Sequence, residues 1–265
     1  MLRATSGFSS QAAHPYYFFH GFAGNQAAGD SQFFDLAASN HGTRGANLSD
    51  AEMFANAGFV TTKAPSNPYD ICIRFANLNF DYSIGEKLFI WWQGKITPAV
   101  DERAFIGDGF GTGTSGNGQR GIQIRANQSG KLTAAIFGAA AKAMGLSTSI
   151  PFDGNRHDIA MYLDGATKSY GYWIDGLMDS SFSGTLTVLD AVAYDTKNGN
   201  TFNLGSSAPA PGTATAPQSG IDTQTRAFVV IRLPASYPSP TVATITAACG
   251  SLRTNPSKLL TAAAL

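Results

Sequence analysis

The chain has 265 residues with 18 basic and 18 acidic side chains, so its formal charge is zero, and only 14% of its residues are charged against roughly a quarter in an average globular domain. Its Lys and Arg residues are scattered singly, which argues against a nucleic-acid partner, because a phosphate backbone is bound by clustered cations. The length fits one large domain or two small ones, since β-sandwiches often reach it as one domain, and a sandwich of this size buries enough apolar surface to stand without disulfide staples.

In chain order, residues 1–14 read as a polar Ala/Ser-rich arm. A strand is expected from Pro15 to Phe22, followed by a Gly/Asn/Ala-rich excursion from Ala23 to Gly58 with short helical turns at Gln32 to Ala38 and Asp50 to Ala57. Phe59 to Thr62 and Tyr69 to Ala76 read as strands, the second by clear alternation of Tyr69, Ile71 and Ile73 with Asp70, Cys72 and Arg74. Lys87 to Ile96 is nearly continuous in apolar residues, the pattern of a strand buried on both faces. Ala104 to Ile106, Gly121 to Arg125 and Lys131 to Phe137 continue the series. Leu186 to Tyr194, a Gly/Ser/Ala/Pro linker from Gly205 to Gly220, and a closing strand from Arg226 to Leu233 complete the body.

The strongest local signal lies between Phe152 and Gly176. Runs Arg156 to Leu163 and Lys168 to Ile174 alternate with period two around Asp164-Gly165-Ala166-Thr167, and Asp175-Gly176 turns the chain again. Alternation joined by Asp-Gly marks a β-hairpin. Adjacent strand residues point to opposite sides, so Tyr170, Tyr172 and Ile174 are expected to face the core. Trp173 is then expected to face a concave surface or a partner. Beyond the body, Ser239 at N-cap and Pro240 at N1 open a helix over about residues 240 to 254, with Val242, Ile245, Cys249 and Leu252 on one face and Asn255-Pro256 as the stop. The division is therefore an arm at 1–14, a sandwich at 15–235, and a helix with tail at 236–265.

The hairpin resembles the late hairpin of laminin-G-like and concanavalin A-like jelly rolls. His157, Ile159 and Ala160 fit the first strand of that pattern and Trp173, Ile174, Asp175 and Gly176 the second, while Arg156 stands where those proteins usually carry Trp. Tyr17 to Phe22 resembles their opening strand and Leu88 to Trp92 their central one, so the likeness covers roughly residues 15–235. The closing strand, helix and Asn255-Pro256-Ser257-Lys258-Leu259-Leu260 ending resemble the C-termini of such proteins encoded by bacteriophages. The fold implied is all-β: a two-sheet antiparallel jelly-roll sandwich, concanavalin A-like, with one C-terminal amphipathic helix.

Chemistry-bearing motifs are few. Gly111, Gly113 and Gly116 have the spacing of a dinucleotide fingerprint, but no helix opens after them, and the physics of that motif requires one. Jelly-roll glucanases carry paired carboxylates on one strand. The three glutamates here, Glu52, Glu86 and Glu102, lie in no such pattern. There is no Gly-x-Ser-x-Gly elbow. The histidines His14, His20, His41 and His157 are dispersed, and His157, heading a strand, reads as an orienting or core residue. No zinc spacing is present. Asp30, Asp101 and Asp108 sit in loops of the kind that hold calcium, with no spacing that singles them out. Cys72 and Cys249 read as small buried hydrophobes, in a predicted strand and the predicted helix. The N-terminal segment lacks a continuous apolar core, so no signal peptide is expected, nor is a membrane span.

The candidate ligand residues are Asp108, Phe110 and Asn117, which resemble the Asp-Gly-x-aromatic stretch of lectin jelly rolls, together with Trp173. The first expectation is a non-catalytic virion structural protein, a capsid decoration or tail-associated component made in the host cytoplasm. It would act through contacts with other virion proteins or copies of itself, with at least one terminus, the arm at 1–14 or the tail from Leu259 to Leu265, packing against such a neighbour. The alternative is a carbohydrate-binding lectin or host-surface adhesin module, with surface glycans as partner. No enzyme activity, cofactor, metal, nucleic acid or membrane partner is expected.

Overall fold

The computed structural model describes residues 80–96, 129–137, 141–188, 223–255 and 265, together with strand segments elsewhere whose backbone alone is placed. The chain is mostly antiparallel β-structure with one C-terminal helix. Its strands are β1 (Tyr16–Gly21), β2 (Gln32–Phe33), β3 (Gly42–Arg44), β4 (Met53–Asn56), β5 (Phe59–Thr62), β6 (Ile71–Phe75), β7 (Lys87–Ile96), β8 (Arg103–Asp108) and β9 (Gly121–Ala126). They continue with β10 (Leu132–Phe137), β11 (Ala141–Leu146), β12 (His157–Asp164), β13 (Ser169–Ile174), β14 (Leu177–Met178), β15 (Thr187–Val188), β16 (Phe202–Ser206) and β17 (Thr223–Leu233), before helix α1 (Val242–Thr254).

One ladder runs β14-β13-β12-β7-β17-β5-β4, with β1 also paired to β17 and β15 to β13; the other runs β11-β10-β9-β8-β16-β6-β3-β2. Strand β7 matches its sequence expectation at both ends. The expected helical turns at Gln32 to Ala38 and Asp50 to Ala57 are corrected at the residues described there: β2 takes Gln32–Phe33 and β4 takes Met53–Asn56, and β4 pairs with β5 through Asn56 and Phe59. A hairpin partner one tight turn away outweighs weak helical spacing. Strands β3, β11 and β16 were not expected; the Ala- and Gly-rich β11 and the edge of the Gly/Ser linker carry little alternation to betray them.

The five strands β14-β13-β12-β7-β17 form the described core, and its two faces follow from alternation. Leu88, Ile90 and Trp92 of β7 share a side with Ile159, Met161 and Leu163, with Tyr170, Tyr172 and Ile174, and with Phe228 and Val230. All of these are buried, as expected for the hairpin aromatics. The other face presents Phe89, Trp91, Ala160, Tyr162, Trp173, Ala227, Val229, Ile231 and Leu233, and α1 covers it with Ile245, Ala248, Cys249 and Leu252.

This corrects the outward placement of Trp173. The residue is 1% exposed, and its indole N–H donates to Thr246 Oγ1 at 2.8 Å. The partner of that face is the chain's own helix. Ala160 lies directly between Trp91 and Trp173 in the register, and all three share the cluster that the apolar face of α1 joins. Leu265 joins the same cluster, and Tyr237 Oη donates to its carbonyl. This apolar residue of the tail is buried against its own chain. Leu259 and Leu260 lie outside the described residues, as do the arm at 1–14 and most of the linker.

Helix α1 starts two residues later than expected. Thr241, not Ser239, is the N-cap and accepts from Thr244 N at 3.1 Å. The Ser239 hydroxyl instead hydrogen-bonds the Asp164 carboxylate, so it is not free to cap. Asn255 ends the helix as its C-cap. Cys249 is buried in the helix face as a free thiol, which burial pushes far above its ordinary titration range.

Candidate functional site

Where β12 begins and β13 ends, the hairpin leaves its regular ladder. The register that pairs Ile159 with Ile174 brings Asp158 opposite Asp175. Asp175-Gly176 then makes the two-residue turn into β14, with φ of 54° and 81°, the positive values of a type I′ hairpin turn. Asp158 N donates to Asp175 Oδ1 at 3.2 Å, and Asp175 N donates to Asp158 O at 2.8 Å. Two carboxylates are thereby fixed side by side.

Two cationic side chains, His157 and Arg253, neutralise them. His157 Nδ1 lies 2.8 Å from Asp175 Oδ2 and its Nε2 lies 3.0 Å from Asp153 Oδ1. Ionised carboxylates only accept hydrogen bonds, so both contacts are hydrogen bonds at once only when the imidazole carries two protons. Burial alone would lower its pKa; the bonds to Asp175 and Asp153 outweigh that and raise it above the ordinary value. Asp153 also accepts from Asn155 Nδ2 and Asn155 N, which with His157 hold its carboxyl down at about 2. From the last turn of α1, Arg253 sends Nη1 to Asp175 Oδ1 at 3.1 Å and Nε to within 3.4 Å of Asp158 Oδ2.

Asp158 is the buried member, at 4% exposure. Desolvation raises its pKa, while the Gln93 amide, which donates to Oδ1 at 2.6 Å, and the Arg253 charge oppose the rise. Gln93 is in turn held by Arg226 Nη1. The cluster thus spans β7, β12, the β13–β14 turn, α1 and β17. It faces solvent through Asp153, Asn155, Arg156 and Arg253, and through Leu177, whose side is 69% exposed.

A second polar group lies nearby. Asp179 accepts from Ser147 Oγ at 2.8 Å, from Thr148 Oγ1 at 3.2 Å and from Ser181 N at 2.9 Å. Burial works against this carboxylate, yet these donors, Ser181 foremost, hold its pKa at about 2. It is a saturated structural pin.

Of the residues singled out from sequence, Trp173 lies beneath α1 and has no exposed ring. Asp108 closes β8, its side chain lying outside the described residues. Phe110, Asn117, the Gly111–Gly116 loop, Asp30 and Asp101 also lie outside them. His157 has the orienting role expected of it. Sequence reasoning missed Arg253 and Arg156. Arg253 reaches the hairpin only because α1 packs back on it, a contact between residues far apart in the chain. Among the described residues, no three His, Cys, Asp or Glu side chains are grouped to hold a metal ion, and no helix is long and apolar enough to cross a membrane.

No family model matches the chain, and no curated protein does. Among solved structures it is similar to the Trypanosoma rangeli sialidase in complex with 2-keto-3-deoxy-D-glycero-D-galacto-2,3-difluoro-nononic acid, at 11% identity and a TM-score of 0.53, over 91% of this chain and 32% of that one. The same sialidase without that ligand gives 12% identity and a TM-score of 0.52, again over 91% of this chain and 32% of the other. A Ruminococcus gnavus IT-sialidase CBM40 bound to alpha2,3 sialyllactose aligns over 63% of this chain and 83% of its own, at 15% identity and a TM-score of 0.45, too loose a fit to support an argument. The chain spans about a third of the length of the sialidases it matches, and at such identities the likeness is one of fold. None of these three proteins comes from a phage.

Proposed function

We propose that the chain is a non-catalytic carbohydrate-binding module, its two ladders stacked as a concanavalin A-like jelly-roll sandwich braced by α1. The supporting observation is the extent of the fold match: nine-tenths of this chain superposes on one third of a sialidase that has been seen with a nononic acid sugar. A fold hosts many functions, so the reading also needs a place where sugar hydroxyls can be met. The cluster around His157, Asp175 and Arg253 is such a place. Its planar groups are held rigidly by one another, so little ordering is lost when a ligand binds.

The test is a glycan array probed with the full chain, followed by calorimetric titration of the best ligands and an assay for released reducing ends. Saturable binding without release is the expected result. Absence of binding across neutral and acidic glycans overturns the reading. Sedimentation of the chain with virus particles, undiminished by free glycans, would favour a virion structural role in its place.

A further inference from the structure

The more exposed carboxylates of the His157 cluster already accept from inside the protein, and Asp158 Oδ2, which has no hydrogen-bond partner, is buried with the Arg253 Nε charge 3.4 Å away. Asp153 takes Asn155 and His157, Asp175 takes the Asp158 N–H, His157 and Arg253, and Asp158 takes Gln93 with Arg253 beside it. The donors are not used up. Arg253 spends Nε and Nη1 on this network and leaves Nη2 open, with its side chain 48% exposed. Arg156 is exposed and makes no hydrogen bond or ion pair among the described residues. It stands two residues before Asp158, close enough for its charge to act on that carboxylate, as the charge of Arg253 also does. Two guanidinium groups thus act on the same buried carboxylate and keep N–H donors to spare, beside more exposed carboxylates that already accept from inside the protein.

Such a rim selects an acceptor. Guanidinium N–H forks match a carboxylate in a planar, bidentate way and gain more from its charge-assisted hydrogen bonds than from a neutral hydroxyl. Formal charges in the cluster balance, three carboxylates against His157, Arg156 and Arg253, so an anion would be recognised by the directed N–H groups and not by net charge. Beside them Leu177 is exposed, and the turn residue Gly176 lies against the Arg253 stem, where an added Cβ would come within 3.9 Å of Cδ. An apolar contact adjoins the donors.

We infer that Arg156 and Arg253 form the subsite for the carboxylate of an acidic sugar, with Leu177 against a C–H face of its ring. The inference rests on the carbohydrate-binding reading and narrows it to carboxylate-bearing saccharides, sialylated or uronate-containing.

The experiment is calorimetric titration of the full chain with sialyllactose, an oligogalacturonate, and their neutral counterparts lactose and a methyl-esterified oligogalacturonate, repeated with Arg156→Ala and Arg253→Lys. Because Arg156 supports nothing else, its variant should melt as the parent does. Its affinity for the acidic ligand should fall about tenfold to a hundredfold, the loss of a charge-assisted hydrogen bond. Arg253→Lys keeps the charge and loses the fork, and should weaken binding by a smaller factor. Which acidic ligand binds separates the two sources of the carboxylate. Equal affinity for acidic and neutral ligands, or unchanged affinity in Arg156→Ala, overturns the inference while leaving the carbohydrate reading in place. Binding of none of the four, with none on the array, overturns both.

Discussion

The β12–β13 hairpin has an Asp-Gly pair at each end, and the two ends are used differently. At Asp164-Gly165 the carboxylate is fully buried and faces its own backbone: Ala166 N at 2.9 Å, Thr167 N at 3.0 Å, and the Tyr162 hydroxyl at 2.8 Å. Burial would raise its pKa, but these donors, with Ser239, lower it below the ordinary value. Gly165 N donates to Glu86 O, and Lys168 reaches back to Tyr82 O while its ammonium lies over the Tyr82 ring. The carboxylate is met wholly from the turn and its neighbours. At Asp175-Gly176 the partners are long cationic side chains, half exposed, with N–H groups to spare. The same dipeptide closes a turn by local bonds in one place and assembles distant elements in the other. Only the second arrangement leaves groups for a ligand.

The largest expected effects lie between the two ends, where they share one strand. Tyr172 and Trp173 occupy opposite buried faces of β13, so Tyr172→Ala and Trp173→Ala should each cost about 3–5 kcal/mol in chemical denaturation. A Trp173→Ala protein as stable as its parent would mean that α1 does not seal that face. Next comes the closed end. A Cβ on Gly165 would stand 2.4 Å from Tyr82 O and 2.6 Å from Glu86 O, both backbone atoms, so Gly165→Ala should lose about 2–3 kcal/mol. Gly154, near the open end, has nothing within 4 Å of such a Cβ; its φ of 85° should limit Gly154→Ala to about 1 kcal/mol. A larger loss there than at Gly165 would reverse the contrast.

The open end should also be the pH-sensitive one. His157 has a folded-state pKa above its unfolded value of 6.5, so its stabilisation is fully present below pH 6.5 and is lost as the pH rises through the folded value. Melting curves taken from pH 5.5 to 8.5 should show this fall, about 1 kcal/mol at most for a partly exposed pair, and His157→Gln should flatten it. A parent protein that gains stability over that window would contradict the assignment of the imidazole as a cation. Smallest of all, Arg156→Ala should change stability by less than about 0.5 kcal/mol, for its guanidinium carries no internal contact.

The hairpin, β7, β17 and the helix were legible because each depends on patterns within a dozen residues: alternation, a near-continuous apolar run, an Asp-Gly turn, an Asn-Pro stop. The tightness of the Asp175-Gly176 turn was legible for the same reason. Trp173 was misplaced because alternation fixes which residues share a face and is silent on what covers it. The covering element, α1, lies some 70 positions further along the chain. The cluster itself was half legible. Asp158, Asp175 and His157 follow from the hairpin register, but Arg253 joins them by helix docking, and a single Arg in a helical last turn carries no signal of its destination. Strand β11, Ala141–Leu146, was missed because Ala, Lys, Met and Gly give it neither alternation nor β-branched residues.

The outer edge of β13 bears on how copies of this chain can associate. Ser169 and Tyr170 are paired by β15, Trp173 and Ile174 by β14, and between them the Tyr172 carbonyl accepts from Asp179 N. Both stubs are two residues long. An approaching chain therefore finds no continuous row of free amides and carbonyls along β13 to template a further strand, the open invitation by which sheets polymerise. Any assembly built on this side of the molecule must be held by side chains, and would be separable by salt or pH where a strand-added fibre would not.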